Sequence, residues 1–216
     1  MSDSVLEQVV AGRAPEVLPL TVDQYHSMIA AGILREGQPT ELIDGVLVRR
    51  DRSDRGGDSM AHGPRHSLTL KRTERQLRAV EAYGFHLHVQ LPVTLGAIQE
   101  PEPDVSVVRG KAEDYLERHP GQADILALVE VSDSTLEYDR TTKQRLFAAA
   151  GIGTYLIVNL PDERIEVYQQ PLVSEGRYAA RTDYVAGQTL RLVLSPTQQV
   201  EFQVSHVLLP RDGSPT

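Results

Sequence analysis

The chain has 216 residues, no cysteine and a net charge of -8 at neutral pH. That length supports one substantial core, and the missing thiols exclude disulfides, thiolate metal sites and a cysteine nucleophile. No charged start precedes an apolar run, and no apolar stretch reaches the roughly 18 residues of a membrane span, so the expectation is a cytoplasmic protein with no membrane partner. The acidity argues against nucleic acid, but its distribution is uneven. From Arg49 to Arg78 nine Lys/Arg face four acids, a local balance of +5 that leaves -13 on the remainder. Such a segment meets phosphate locally or is a solvated loop and helix face, and charge alone leaves both open.

Residues 1–20 read as a lead-in containing Pro15 and Pro19. Thr21 with Gln24 forms a capping-box pattern that opens a short helix to about Ala31, stopped by Gly32. "TELIDGVLVRR" reads as two strands turning at Asp44-Gly45. A polar loop over 51–65 leads into a helix expected from Pro64 to Ala82. Its inward stripe is His66, Leu70, Thr73, Leu77 and Val80, at spacings of 4, 3, 4 and 3. "FHLHVQLPV" alternates as a strand, with His86 and His88 on one face as a metal pair would stand, though no third ligand is near in sequence. "PDVSVV" is a further strand, followed by a surface helix expected over 112–118. The run from Ile125 to Ser132 is apolar enough for a strand covered on both faces. A helix is expected from Arg140 to Ala150 with Asp139 as its N-cap and Gly151 as its stop. "TYLIVN" and "RIEVYQQ" flank a turn at Pro161-Asp162, and alternating strands follow near 178–184, 189–194 and 200–204. This order predicts a single α/β domain over 21–210 around a mixed sheet flanked by helices, with extra C-terminal β-strands within 176–206.

Glu130 interrupts the apolar run, and desolvating a carboxylate costs several kcal/mol, of order 3–5, unless a cation or hydrogen bonds compensate. Ser132 shares its face of the strand. Asp104 opens a neighbouring strand after Pro103. Two carboxylates from adjacent strands suit a hard divalent cation such as Mg²⁺, with the Val131 carbonyl as a third ligand, and such an ion activates water at a phosphoryl centre. The bland alternative pairs Glu130 with an arginine or leaves it at a wet strand end. Lys143 stands on the apolar stripe with Leu146, Phe147 and Ala150, so it either snorkels outward or meets an internal anion.

These motifs together resemble the Uma-type family of restriction-endonuclease-like proteins, a branch of the PD-(D/E)XK nucleases. The resemblance runs over about residues 20–170: "ELIDG" with Glu41, a helix led by His66, "PEPDVSVV" with Asp104, "LVEVSDST" with Glu130, "YDRTTKQRLFAAAGIGTYLIVN" with Asp139 and Lys143, and "IEVYQ". It implies a restriction-endonuclease-like fold and a Mg²⁺- or Mn²⁺-dependent endonuclease acting on DNA. A homodimer follows if both strands of a duplex are cut. The superfamily places lysine two residues after the strand acid. Here that position is Ser132, and the resemblance implies that Lys143 has taken over the role. Glu41 joins as an outer acid. His66 contacts phosphate or the bound water, or is a core-edge histidine, and Ser132 is a further candidate for such a contact; if the basic segment tracks a phosphate backbone, Arg72 and Arg75 are its candidate contacts. Leu156 and Phe147 depart from the family's usual tryptophan and tyrosine. The alternative reading is a nucleic-acid-binding or regulatory protein that keeps the fold without cutting.

Overall fold

In the computed structural model, which describes residues 17–35, 38–49 and 63–209, the capping box forms as the sequence requires. The Gln24 N–H donates to the Thr21 hydroxyl at 3.2 Å, and the Gln24 side chain accepts from the Thr21 N–H at 2.9 Å, opening helix α1 (Val22–Ala30). The hairpin of β1 (Thr40–Ile43) and β2 (Val46–Arg49) turns with both Asp44 and Gly45 at positive φ, 51° and 70°, as a two-residue type I′ turn demands. A Cβ on Gly45 would also sit 2.2 Å from the Pro19 side chain, so glycine is required twice over. Of the expected lead-in, residues 1–16 lie outside the described residues, as do residues 51–62 of the polar loop.

Helix α2 (Pro64–Leu77) continues as a 3₁₀ segment, Arg78–Tyr83, and stops at Gly84 in the left-handed conformation. All five stripe residues from His66 to Val80 are buried. Strand β3 (Phe85–Val89) is shorter than its alternation suggests. Gln90 gives its N–H to the Asp104 carbonyl at 3.1 Å, the next rung of the pairing with β4, but its φ of 51° leaves the extended conformation and ends the strand. After β4 (Val105–Arg109) the expected surface helix shrinks to one 3₁₀ turn, Ala112–Tyr115. Asp114 closes it by accepting from the Lys111 N–H, and the apolar Leu116 beyond it is left exposed, with no face to bury.

Strand β5 (Ile125–Ser132) is buried along nearly its whole length. The next helix starts earlier than its stripe indicates and changes pitch: an α-helical turn Leu136–Tyr138, a π-helical segment Asp139–Lys143, and an α-helical segment Gln144–Ala149, together α3 (136–149). Asp139 therefore lies inside the helix and is not its N-cap. The remaining strands are β6 (Thr154–Asn159), β7 (Arg164–Leu172), β8 (Arg177–Val185), β9 (Thr189–Ser195) and β10 (Gln198–Gln203).

Six strands make one sheet in the order β3-β4-β5-β6-β7-β8, antiparallel except where β5 and β6 run parallel. A parallel pair needs a crossover, and α3 is that crossover. One face of the sheet (Val105, Val129, Val131) packs with Leu70 and Leu77 of α2 and Leu192 and Phe202 of the β9–β10 hairpin. The other (Leu128, Ile157) packs with Leu146 and Phe147 of α3 and with Ile43. Phe147 meets Tyr155 edge-on with ring centres 4.9 Å apart, and Leu156 is buried in the core on the opposite face of the sheet. No described helix is long and apolar enough to cross a membrane.

Candidate active site

The covered position of β5 brings Glu130 into the interior, where it is 3% exposed. The antiparallel register sets Val105 opposite Val129, so Asp104 arrives beside the same strand end. There its Oδ2 accepts from the Val131 N–H at 2.8 Å. Glu41, on the fully buried β1, accepts from the Glu102 N–H at 2.8 Å, which ties the hairpin to the segment leading into Asp104. Lys143 descends from the π-helical segment. Its Nζ donates to Glu130 Oε1 at 2.6 Å and lies 3.5 Å from Glu41 Oε1. Of the two fates open to Lys143 in the sequence, the buried anion wins. His66, on the first turn of α2, places Nε2 3.3 Å from Asp104 Oδ2.

Four buried carboxylates (Glu41, Asp104, Glu130, Asp139) thus share the region with one ammonium and one imidazole. The consequences are electrostatic. Burial pushes the Glu130 carboxyl up to about 8; Lys143 opposes this, while Asp104 and Asp139 add to it. Burial works to lower Lys143, but Glu130, Glu41 and Asp139 outweigh it and hold its proton well above the ordinary range. Glu130 keeps its proton chiefly because it is buried, whereas Lys143 keeps its own because Glu130, Glu41 and Asp139 stand around it; the acids of the site outnumber its cations. Asp104 differs: burial would raise it, but His66, the Val131 N–H and Lys143 together hold it well below the usual carboxylate range.

The excess charge is the test of whether a divalent cation fits. Hard oxygen donors that carry more charge than their neighbours neutralise are what Mg²⁺ or Mn²⁺ requires. In addition, Asp139 Oδ1 is buried with no hydrogen-bond partner among the described residues. The residues fit. The fit is open, however: among the described residues these acids do not gather three ligand atoms within 4.8 Å of one another, so water and substrate oxygens would complete the shell.

The family model described as "Uma2: Putative restriction endonuclease" matches residues 22–205. The chain belongs to this family. The Uma2 match extends through the C-terminal strands, well past the stretch in which the motifs are recognisable by eye. A crystal structure titled as a putative nuclease belonging to DUF820 from Anabaena variabilis is similar in fold at 16% identity, with a TM-score of 0.60, covering 88% of this chain and 97% of that one. No curated protein matches. The fold is therefore that of a nuclease, and a nuclease-like function goes with the Uma2 family.

The other residues singled out in the sequence are placed as follows. Ser132 is fully buried and donates to Asp139 Oδ2 at 2.7 Å. Val131 packs its side chain into the core. Arg72 spends its guanidinium on the carbonyls of His206 at 2.9 Å and Ser205 at 2.6 Å, clamping the C-terminal turn to α2. Arg75 is exposed on the last turn of α2. His86 and His88 each meet a backbone carbonyl, of Gly110 and Pro92 respectively, at 3.1 Å. Sequence reasoning passed over Tyr138. Its hydroxyl is buried without a hydrogen-bond partner among the described residues, and burial, then Glu41, raises its pKa. The one available signal was its place directly before Asp139.

Proposed function

We propose that this Uma2 protein is a divalent-cation-dependent endonuclease that hydrolyses DNA phosphodiester bonds. The observation that carries the reading is the Lys143–Glu130 contact. A lysine missing from the strand position after the acid reaches that acid, over 2.6 Å, from the following helix. Asp104 and Glu130 would hold the cation, with the Val131 carbonyl available as a third ligand. When bound, the cation, Mg²⁺ or Mn²⁺, supplies Lewis-acid stabilisation and an activated water.

The chain's own residues do the rest. Lys143 keeps its proton and presents an N–H to the attacking water or to the non-bridging phosphate oxygen on which charge grows, where a fixed donor in a dry site is most effective. Glu41, 3.5 Å from that amine, is a second anion that with Glu130 holds it in the site. His66 and the Val131 N–H orient the Asp104 carboxylate. Arg75, exposed within the basic stretch, would meet the phosphate backbone, which attracts cations irrespective of sequence. Cutting both strands of a duplex takes two such sites, which a homodimer would supply.

The test is nicking of supercoiled plasmid by purified protein with Mg²⁺ or Mn²⁺, with EDTA as the control. Cleavage should require the cation and disappear in Asp104→Ala and Glu130→Ala while circular dichroism stays native. Retention of DNA with no cutting by the wild type would overturn the catalytic reading and leave a binding protein.

A further inference from the structure

We propose that His26, Glu100 and His119 form a second metal site, separate from the carboxylate centre, that takes a borderline transition cation of the Zn²⁺ class. The three residues come from helix α1 and from two loops, and no sequence motif links them. The fold brings one ligand atom of each to within 4.8 Å of the other two, and no other His, Asp or Glu trio among the described residues does so.

The geometry is close to what such an ion needs. His26 Nε2 lies 2.7 Å from Glu100 Oε1. Ligands on a tetrahedral Zn²⁺ with bonds of about 2.0 Å stand about 3.3 Å apart, so the pair must open by only about 0.6 Å. His26 is free to do so, since its side chain is 45% exposed while that of Glu100 is 2% exposed. The His26 and His119 rings meet edge to face with centres 5.8 Å apart, near the separation of about 5 Å for two imidazoles sharing one tetrahedral ion. Glu100 is oriented from behind: the Thr94 hydroxyl donates to its Oε2 at 2.9 Å, leaving Oε1 to the histidines. A ligating carboxylate held by an outer hydrogen bond is the usual architecture of a metal site.

Chemistry separates the two centres. Two imidazoles and one carboxylate suit Zn²⁺ and its neighbours, whereas Mg²⁺ prefers an all-oxygen shell. Three protein ligands with one of them at the surface leave the fourth position to water. The site also has a mechanical consequence. Glu100 is paired backbone to backbone with Leu42, the residue after Glu41, at 2.7 and 3.3 Å, and Glu102 supplies the N–H that holds Glu41. An ion at Glu100 would fasten α1 and the loop carrying His119 to the segment that frames the carboxylate centre.

The experiment is calorimetric titration of tag-free, full-length protein with Zn²⁺ in excess Mg²⁺. One saturable equivalent per chain is expected. His26→Ala and His119→Ala should each weaken it by more than about 100-fold, beyond the loss typical of an outer-shell change, whereas Asp104→Asn with Glu130→Gln should leave it in place. X-ray absorption at the zinc edge of the wild type should show two imidazoles in the shell, a result that does not depend on any variant folding. Absence of saturable binding, a shell without imidazole, survival in both histidine variants, or loss in the carboxylate variant would each overturn the proposal. None of these outcomes depends on whether the carboxylate centre cuts DNA.

Discussion

Replacing Glu130 with glutamine keeps the shape of the side chain and an oxygen able to accept from Lys143, but removes an ionisable group that the interior holds in its neutral form. Burial pushes that carboxyl from its ordinary 4.5 to about 8, with Lys143 already counted in its favour. Below about pH 4.5 it is protonated in both folded and unfolded chains and has no effect. As pH rises through the window from 4.5 to 8, the unfolded chain releases the proton and the folded chain does not, so the cation-free protein loses stability. The loss reaches at most about 3 kcal/mol at pH 7 and about 5 kcal/mol at pH 9. Glu130→Gln should therefore match the wild type at pH 4 in EDTA and exceed it by about 2–3 kcal/mol at pH 7, which is about 4–12 °C in Tm for a chain of this size. Urea unfolding with EDTA at pH 4, 7 and 9 measures it directly. Mg²⁺ should then reverse the order, because it stabilises only the protein that binds it. A variant less stable than the wild type in EDTA at pH 7, or a gap that ignores pH, would refute the reading of Glu130 as a carboxylate kept for a cation.

Lys143→Met retains the stem and helix propensity, and is expected to lower plasmid cleavage by about 10²-fold or more, the scale of one transition-state donor, while cation binding by calorimetry persists. Arg140→Met should destabilise the fold by about 2–4 kcal/mol in urea, since it deprives the fully buried Glu166 of its principal cation; a neutral outcome would mean that Arg181, Asn159 and Tyr168 suffice. Arg75→Gln should reduce the slope of log Kd against log salt for DNA binding by about one, the signature of one lost phosphate contact.

The parts of the fold that follow from periodicity or turn chemistry were legible in the sequence. The His66-to-Val80 stripe is buried throughout, the Asp44-Gly45 turn forms, and the buried run at Ile125 is the doubly covered strand. What sequence could not show were contacts between distant segments. The alternation of "FHLHVQLPV" runs on past Val89, but the backbone turns to positive φ at Gln90 and leaves the strand. Arg72 reads as a free cation until the turn at Ser205–His206 arrives to occupy it. His26, Glu100 and His119 carry no shared spacing, because three separate elements deliver them. Glu130 and Lys143 could be singled out because each breaks a local rule, an acid in an apolar run and a base on an apolar stripe, and Asp104 because it opens the neighbouring strand.

The pitch of α3 shows how that conflict is resolved. Its stripe predicts 3.6 residues per turn, but Asp139–Lys143 is π-helical, a local widening that recurs at functional sites. Across the sheet, Glu130 on β5 stands in register with Ile157 on β6, which stands in register with Glu166 on β7, so the two buried glutamates share one row and one face. The widened turn lays Lys143 over the first and Arg140 over the second, and two ion pairs from cations three residues apart anchor the segment to the sheet. The environments of the two acids then diverge. Burial raises both, but Arg140, Tyr168 and Asn159 more than compensate Glu166, whose pKa falls. Glu130 has Lys143 alone, set against Asp104 and Asp139, and its pKa rises. The satisfied glutamate fixes the helix; the unsatisfied one, held in place by that fixed helix, keeps a proton that a bound cation would displace. Stability and chemistry are thus divided between two identical residues about 10 Å apart, two strand spacings along one row.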